Sequence, residues 1–314
     1  MARARRLLPY LILLAALVIF GLYLAANADR YRALLDLSVA GIFYLILLSL
    51  LFWVVNGLIN TLFYRGLNTP VTLHEGLGLA AVNTLANQLP FAGGLVAKGI
   101  YLKQRYRLTY ARYLSATAAL YVCFVAANGA LGLFVLGYMQ WRGATVPAIL
   151  WAGFALMTAV LATLWLPPRP GWIPTRWRQR SAQLVEGWGI LGRNGQLVRQ
   201  LTGLQIVMTA LFAARFWLAF HMLSQPVSYA DCLLFAAATV LSRLVSLAPG
   251  GLGVREGIVG GMAAILGFDV GASVVAVGLE RLVSTLVVII VGVIYSYLLS
   301  RAAVAAQPSE GAES

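Results

Sequence analysis

The chain has 314 residues, of which 61% are hydrophobic and only 11% charged, with 31 glycines besides. Soluble domains run near ~45–50% apolar and ~25% charged, so a water-soluble globular fold is excluded, as is intrinsic disorder. The net charge of +13 does not point to nucleic acid. Its cations are scattered between apolar runs, the pattern of a membrane protein with basic inner loops.

The first six residues carry Arg3, Arg5 and Arg6 and lead into the apolar run 7–26. A bilayer-spanning helix needs about 20 such residues, so this run reads as a retained first span rather than a cleaved leader. Further spans are expected over roughly 39–61, 113–139, 145–166, 201–222 and 271–299, six in all. Two other apolar segments are interrupted. Residues 74–104 are broken by Leu89-Pro90-Phe91-Ala92-Gly93-Gly94, and residues 230–266 by Ala248-Pro249-Gly250-Gly251-Leu252-Gly253. Proline removes a backbone donor and glycine loosens the chain, so neither segment is expected as one continuous helix. Both read as helical hairpins that enter and leave on one side, with eight complete kinked spans as the alternative. The expected fold is an all-α polytopic membrane protein, about six spanning helices plus two broken, re-entrant hairpins. Residues 1–301 form a single transmembrane domain, 167–200 its main cytoplasmic connection, and 302–314 a disordered tail.

Placing the N-terminus inside puts 15 cations on the cytoplasmic side, from Arg3 through Arg65, Lys103, Arg105, Arg107 and Arg112 to Arg199 and Arg301. Only Arg30, Arg32 and Arg142 then fall outside, which favours a bacterial-type inner membrane protein with both termini cytoplasmic. The broken segments also resemble each other. Gly93-Gly94-Leu95 precedes Lys98-Gly99-Ile100, and Gly250-Gly251-Leu252 precedes Glu256-Gly257-Ile258. Interrupted segments in opposed halves point to inverted repeats, here about 39–139 and 201–299, with a site at the midplane.

Five cations lie within or beside the apolar segments: Lys98, Arg215, Arg243, Arg255 and Arg281, against the acids Glu256 and Glu280. A charge at the bilayer centre costs at least ~2.5–3.5 kcal/mol, so such residues face an interior and find partners. The excess of cation calls for an anionic ligand, such as a lipid phosphate. Gly250 and Gly251 would let backbone N–H groups converge on an anion, and a half-helix starting near Gly253 would aim its positive end at the break. Arg255 in its first turn can fork onto a phosphate. Glu256 could hold Arg243, Arg255 or Arg281. Glu280 and Arg281 point about 100° apart and are expected to reach different neighbours. Lys98 is the repeat-related counterpart of Arg255 or a side chain that snorkels to the cytoplasmic face. Gly253, Gly257 and Gly261 read as a smooth packing stripe. Asn83, Asn87 and Gln88 could cap the first break, while His74 and Glu75 read as solvated. Cys123 and Cys232 read as packed hydrophobes, and two histidines suggest no metal site. No cofactor is expected.

The run Leu247-Ala248-Pro249-Gly250-Gly251-Leu252-Gly253-Val254-Arg255-Glu256-Gly257, with Leu279-Glu280-Arg281-Leu282, resembles the membrane domain of the lysylphosphatidylglycerol synthetase family of flippase-like proteins. Asn87-Gln88-Leu89-Pro90 with Gly94 and Lys98 is similar to that family's first broken segment. The first half lacks the family's acid after the proline, and Leu120-Tyr121-Val122-Cys123 stands where a second Glu-Arg pair often occurs. The resemblance implies roles for Arg255, Glu256, Glu280 and Arg281, and the translocating half without the soluble aminoacyl-transfer domain. The expectation is a lipid translocase rather than an enzyme. It would move an anionic phospholipid or a polyprenyl-phosphate-linked lipid, its headgroup held near Gly250-Gly251 by Arg255 with Arg243 or Arg281. The rivals are a membrane enzyme acting on a lipid phosphate and a non-catalytic partner of a lipid-synthesis complex. Homo-oligomerisation is left open.

Overall fold

The computed structural model describes residues 38–87, 93–160, 189, 194–243 and 253–305, with side chains to 298 and that of Arg243 excepted. The expected span 7–26, most of the connection 167–200 and the glycines Gly250 and Gly251 lie outside the described residues. Among the described residues, nine α-helices follow in chain order: α1 Val39–Gly66, α2 Leu73–Ala86, α3 Gly93–Tyr106, α4 Tyr110–Trp141, α5 Ala148–Ala159, α6 Gly195–Met222, α7 Tyr229–Ala238, α8 Val254–Leu266 and α9 Val270–Ala305. A 3-10 turn, Thr239–Arg243, extends α7. A helix satisfies its backbone groups within its own segment, as the hydrocarbon of a bilayer requires.

Among the described residues, four helices are long and apolar enough to cross a membrane: α1, α4, α6 and α9 over Val270–Leu298. They match four of the expected spans, with ends two to six residues further out at most termini. The described part of the expected span 145–166 is α5, 12 residues long. α9 runs on to Ala305, past the point where a tail was expected to begin. Along α9, Leu282, Leu286, Ile290, Val293 and Tyr297 form an exposed apolar stripe, suited to lipid rather than water. α1 packs along α6, α2 lies against both α1 and α9, and α4 pairs with α5 and α7. Cys123 and Cys232 are free thiols buried in the core, as expected.

Each interrupted segment is two short helices. α2 and α3 have 14 residues each and pack together. Asn87 Oδ1 accepts from the backbone N–H of Gly94 at 3.0 Å, the capping role foreseen for this asparagine. A side chain at Gly94 would bring Cβ to 2.2 Å from the Asn83 carbonyl, so only glycine lets α3 start against the end of α2.

The turns that enter the two hairpins are built alike. Leu67-Asn68-Thr69-Pro70-Val71-Thr72 and Leu223-Ser224-Gln225-Pro226-Val227-Ser228 lie 156 positions apart (223 − 67). Asn68 and Ser224 close the preceding helices at φ 58° and 54°. Buried Val71 and Val227 donate to the carbonyls of Thr69 and Gln225. Thr72 with Glu75, and Ser228 with Asp231, then form reciprocal capping boxes that start α2 and α7. The order of elements around these turns also recurs. Helices of 28, 14, 14 and 32 residues, α1 to α4, are followed by 28 in α6, 10 plus 5 in α7 and its turn, 13 in α8 and 36 in α9.

Among the described residues, a Cβ on Gly253, Gly257 or Gly261 would meet nothing within 4 Å, whereas one on Gly260 would come within 3.3 Å of Val270 on α9. One expectation is corrected. Glu75 is not solvated. It is 8% exposed and accepts from the Tyr101 hydroxyl at 3.0 Å and the Tyr106 hydroxyl at 2.6 Å. Arg105 Nε stands 3.6 Å away. The carboxylate thereby ties the start of α2 to the end of α3. Burial pushes its carboxyl up, but hydrogen bonds from Tyr106, Thr72 and Tyr101 outweigh this and hold it below the ordinary value.

Candidate functional site: a buried cation cluster

Three helices deliver one charge each to a common point. Arg215 sits well inside α6, Arg255 in the first turn of α8, and Glu280 near the middle of α9. One carboxylate oxygen of Glu280 pairs with Arg215 and the other with Arg255. Glu280 is 1% exposed and Arg215 4%. Their burial makes these ionic contacts obligatory: an unpaired charge there would forfeit several kcal/mol of hydration, of order the ~3–5 kcal/mol lost when a buried pair is broken.

Aromatic rings complete the shell. The Arg215 guanidinium lies over Phe52 and Phe212, 5.1 and 5.3 Å from the ring centroids. That of Arg255 lies over Phe212 and Phe216 at 4.5 and 5.1 Å. Such faces attract a cation without neutralising it. Among the described residues the formal balance of this cluster is therefore two positive charges against one negative, an excess of one cation.

The cluster borders a cavity of about 200 Å³, lined by both arginines with Phe52, Gln205, Thr209, Phe212 and Ser242 among others. Gln205, Thr209, Phe212 and Phe216 follow one another at four- and three-residue steps and share one face of α6. A polar chain closes the far wall. Gln205 Nε2 donates to Thr209 Oγ1 at 3.2 Å, and Thr209 Oγ1 donates to Asn128 Oδ1 on α4 at 2.8 Å. The Gln205 side-chain oxygen, Oε1, accepts no hydrogen bond among the described residues although Gln205 is 2% exposed. The cavity thus offers guanidinium donors on one side and a spare acceptor on another.

Glu256 and Arg281 form a second, neutral pair, Arg281 Nη1 to Oε1 at 2.6 Å. The other Glu256 oxygen accepts from the backbone N–H of Gly253 at 2.9 Å. Gly253 has φ 84°, a conformation natural to glycine, and precedes α8. The positive end of this half-helix, expected to face a ligand anion, is occupied by the chain's own carboxylate. Arg281 is correspondingly the partner of Glu256, not a third member of the Glu280 cluster.

The remaining candidates separate. Lys98, on α3, is buried and donates to Asn60 Oδ1 on α1 at 3.3 Å, within the first hairpin's surroundings. Arg243 ends the 3-10 turn, so its backbone lies one residue beyond the cavity-lining Ser242. Gly250 and Gly251 lie outside the described residues. Arg215, recognised in the sequence only as a mid-span charge, proves central. Its signal was the spacing Phe212–Arg215, three residues apart on one helix face, which sets the cation against a ring.

A multi-pass, all-helical membrane protein with a cation-rich buried cluster is the class this architecture defines. Residues 4–292 match the family described as the lysylphosphatidylglycerol synthase TM region. The chain belongs to that family, which places it among membrane proteins of lipid metabolism or transport. None of the curated proteins matches it closely enough to lend a more specific identity.

Proposed function

We propose that this protein is a lipid translocase of the inner membrane, and that it binds the phosphate of an anionic phospholipid or a polyprenyl-phosphate-linked lipid at Arg215 and Arg255. The observation that carries the reading is the excess buried cation facing a cavity. A membrane protein keeps such a charge where a ligand supplies the missing anion. The cavity, about 200 Å³, suits a phosphate with a small headgroup and leaves acyl or prenyl chains in the bilayer.

Glu280 acts as the resident counter-ion. In the empty site it holds both guanidinium groups in place; an arriving phosphate competes with it for Arg255, the more exposed of the two at 16% against 4%. Glu256 and Arg281 fasten the start of α8 to α9, so a shift of α8 relative to α9 would strain that pair. In the sequence, Arg243, Gly250 and Gly251 fall at the break that precedes α8, and Lys98 is the related charge of the first hairpin.

The two hairpins are re-entrant, and the halves are inverted repeats that rock to expose the site alternately. A 14-residue limb reaches about 21 Å, short of the ~30 Å hydrocarbon core. The duplicated entry turns support the repeat. Both termini are cytoplasmic, on the distribution of arginines. A transport assay tests the proposal. Protein reconstituted into vesicles should move a labelled anionic phospholipid between leaflets, and Arg255→Ala should slow that movement to the protein-free rate. Equal movement by wild type and Arg255→Ala would overturn the assignment.

A further inference from the structure

A second cavity lies apart from the cation cluster, between the C-terminal end of α4 and the start of α7. It encloses about 720 Å³, within the range of ligand sites. One end is apolar, formed by Phe134, Val135 and Leu233; the other holds Ser228 and Arg142. The Arg142 side chain is exposed and forms no hydrogen bond or ion pair among the described residues. Phe134 is 74% exposed and Trp141 81%, which is stable only against hydrocarbon and its border.

The location is unusual for a cation. The opposite end of α4 begins beside Lys103, Arg105, Arg107 and Arg112. The Arg142 end has Tyr138, Trp141 and Tyr229 around it, aromatic residues that favour the headgroup level. So an arginine without a protein partner stands at the polar end of a groove whose apolar end runs towards the membrane interior. Guanidinium groups bind phosphate with paired, charge-assisted hydrogen bonds.

We infer that the groove between α4 and α7 is a binding site for one anionic phospholipid, its phosphate on Arg142 and an acyl chain along Phe134, Val135 and Leu233. The site does not depend on the translocase reading. It is nonetheless suitably placed to serve it. Tyr229, Leu233 and Ala236 fall on one face of α7 at four- and three-residue steps, and Val240 follows in its 3-10 extension; the first two line this groove and the last two the cation-cluster cavity. A lipid seated here waits one to two helical turns from the cluster.

Photo-crosslinking tests the inference. The full chain is reconstituted with phosphatidylglycerol carrying a diazirine in its acyl chain, irradiated, and mapped by peptide mass spectrometry. Label should concentrate on the α4 segment 134–139 and on α7, and Arg142→Gln should lower it about ten-fold. Arg255→Gln should leave the label on 134–139, which is remote from the cation cluster, unchanged, and this separates failure here from failure of the translocase reading. Leu233→Trp, which fills the groove, should displace the label even where Arg142→Gln perturbs the loop. Label spread evenly over the exposed stripe of α9, at Leu286 and Ile290, would overturn the proposal. So would equal labelling by a diazirine-bearing diacylglycerol, which has no phosphate.

Discussion

Removing Glu280 and removing Arg255 should have very different consequences for stability. The wild-type cluster holds two cations and one anion. Glu280→Gln leaves two buried guanidinium groups facing each other with no counter-ion. Arg255→Gln leaves the buried Arg215–Glu280 pair intact and the cluster neutral. Breaking a buried pair by removing one partner costs about 3–5 kcal/mol, largely from the stranded charge. Glu280→Gln should reach the top of that range, lowering the melting temperature by on the order of 10 °C. Arg255→Gln strands no charge and loses one charged hydrogen bond, about 1.5–3 kcal/mol. The double variant carries one cation fewer than Glu280→Gln and should be more stable than it. Buried Cys123 and Cys232 supply the assay, since a thiol-reactive dye labels them only on unfolding. Melting curves in detergent that place Arg255→Gln as low as Glu280→Gln, or the double variant lowest, would refute the reasoning.

Three further outcomes are expected. A double-mutant cycle over Glu256→Gln and Arg281→Gln should show coupling of about 0.5–3 kcal/mol for the 2.6 Å contact; coupling near zero in thermal unfolding would contradict its role in fixing α8 to α9. Gly76→Ala should destabilise by about 1–3 kcal/mol, because the added Cβ would fall 1.9 Å from Thr61 Oγ1 and 2.8 Å from the Gly57 carbonyl where α2 crosses α1; an unchanged melting temperature would show that this crossing is loose. Glu75 has its carboxyl held below the ordinary value of 4.5, so its stabilisation is present above that pH and lost as pH falls through the lower folded value. The melting-temperature gap between wild type and Glu75→Gln should be wide at neutral pH and close in acid; a gap independent of pH would contradict the account.

Hydropathy located α1, α4, α6 and α9 because a spanning helix must be apolar over a length the bilayer dictates. The broken segments were equally readable, since Pro90 and Pro249 lie inside otherwise helical runs. The site was only half readable. Glu280 and Arg281 were rightly expected to reach different neighbours, because adjacent residues on a helix diverge. Which neighbours they reach depends on how α6, α8 and α9 pack, and no local pattern states that for residues 40 and 25 positions apart (255 − 215 and 280 − 255). Glu75 read as solvated for the same reason, its tyrosine partners lying 26 and 31 positions away. The stripe Gly253–Gly257–Gly261 names a smooth face but not whether anything lies against it. The duplicated entry turn was present in the sequence throughout, at Pro70-Val71-Thr72 and Pro226-Val227-Ser228. Its meaning rests on the left-handed Asn68 and Ser224, which composition does not display.

The most direct measurement is the lipid content of the purified protein, by mass spectrometry, for wild type and for Arg255→Gln. If the excess cation beside the α6 cavity is an anion site, wild type carries one anionic lipid class above its abundance in the host membrane, and Arg255→Gln loses that enrichment while staying folded. Identical lipid profiles in the two proteins, each mirroring the host membrane, would contradict the central claim.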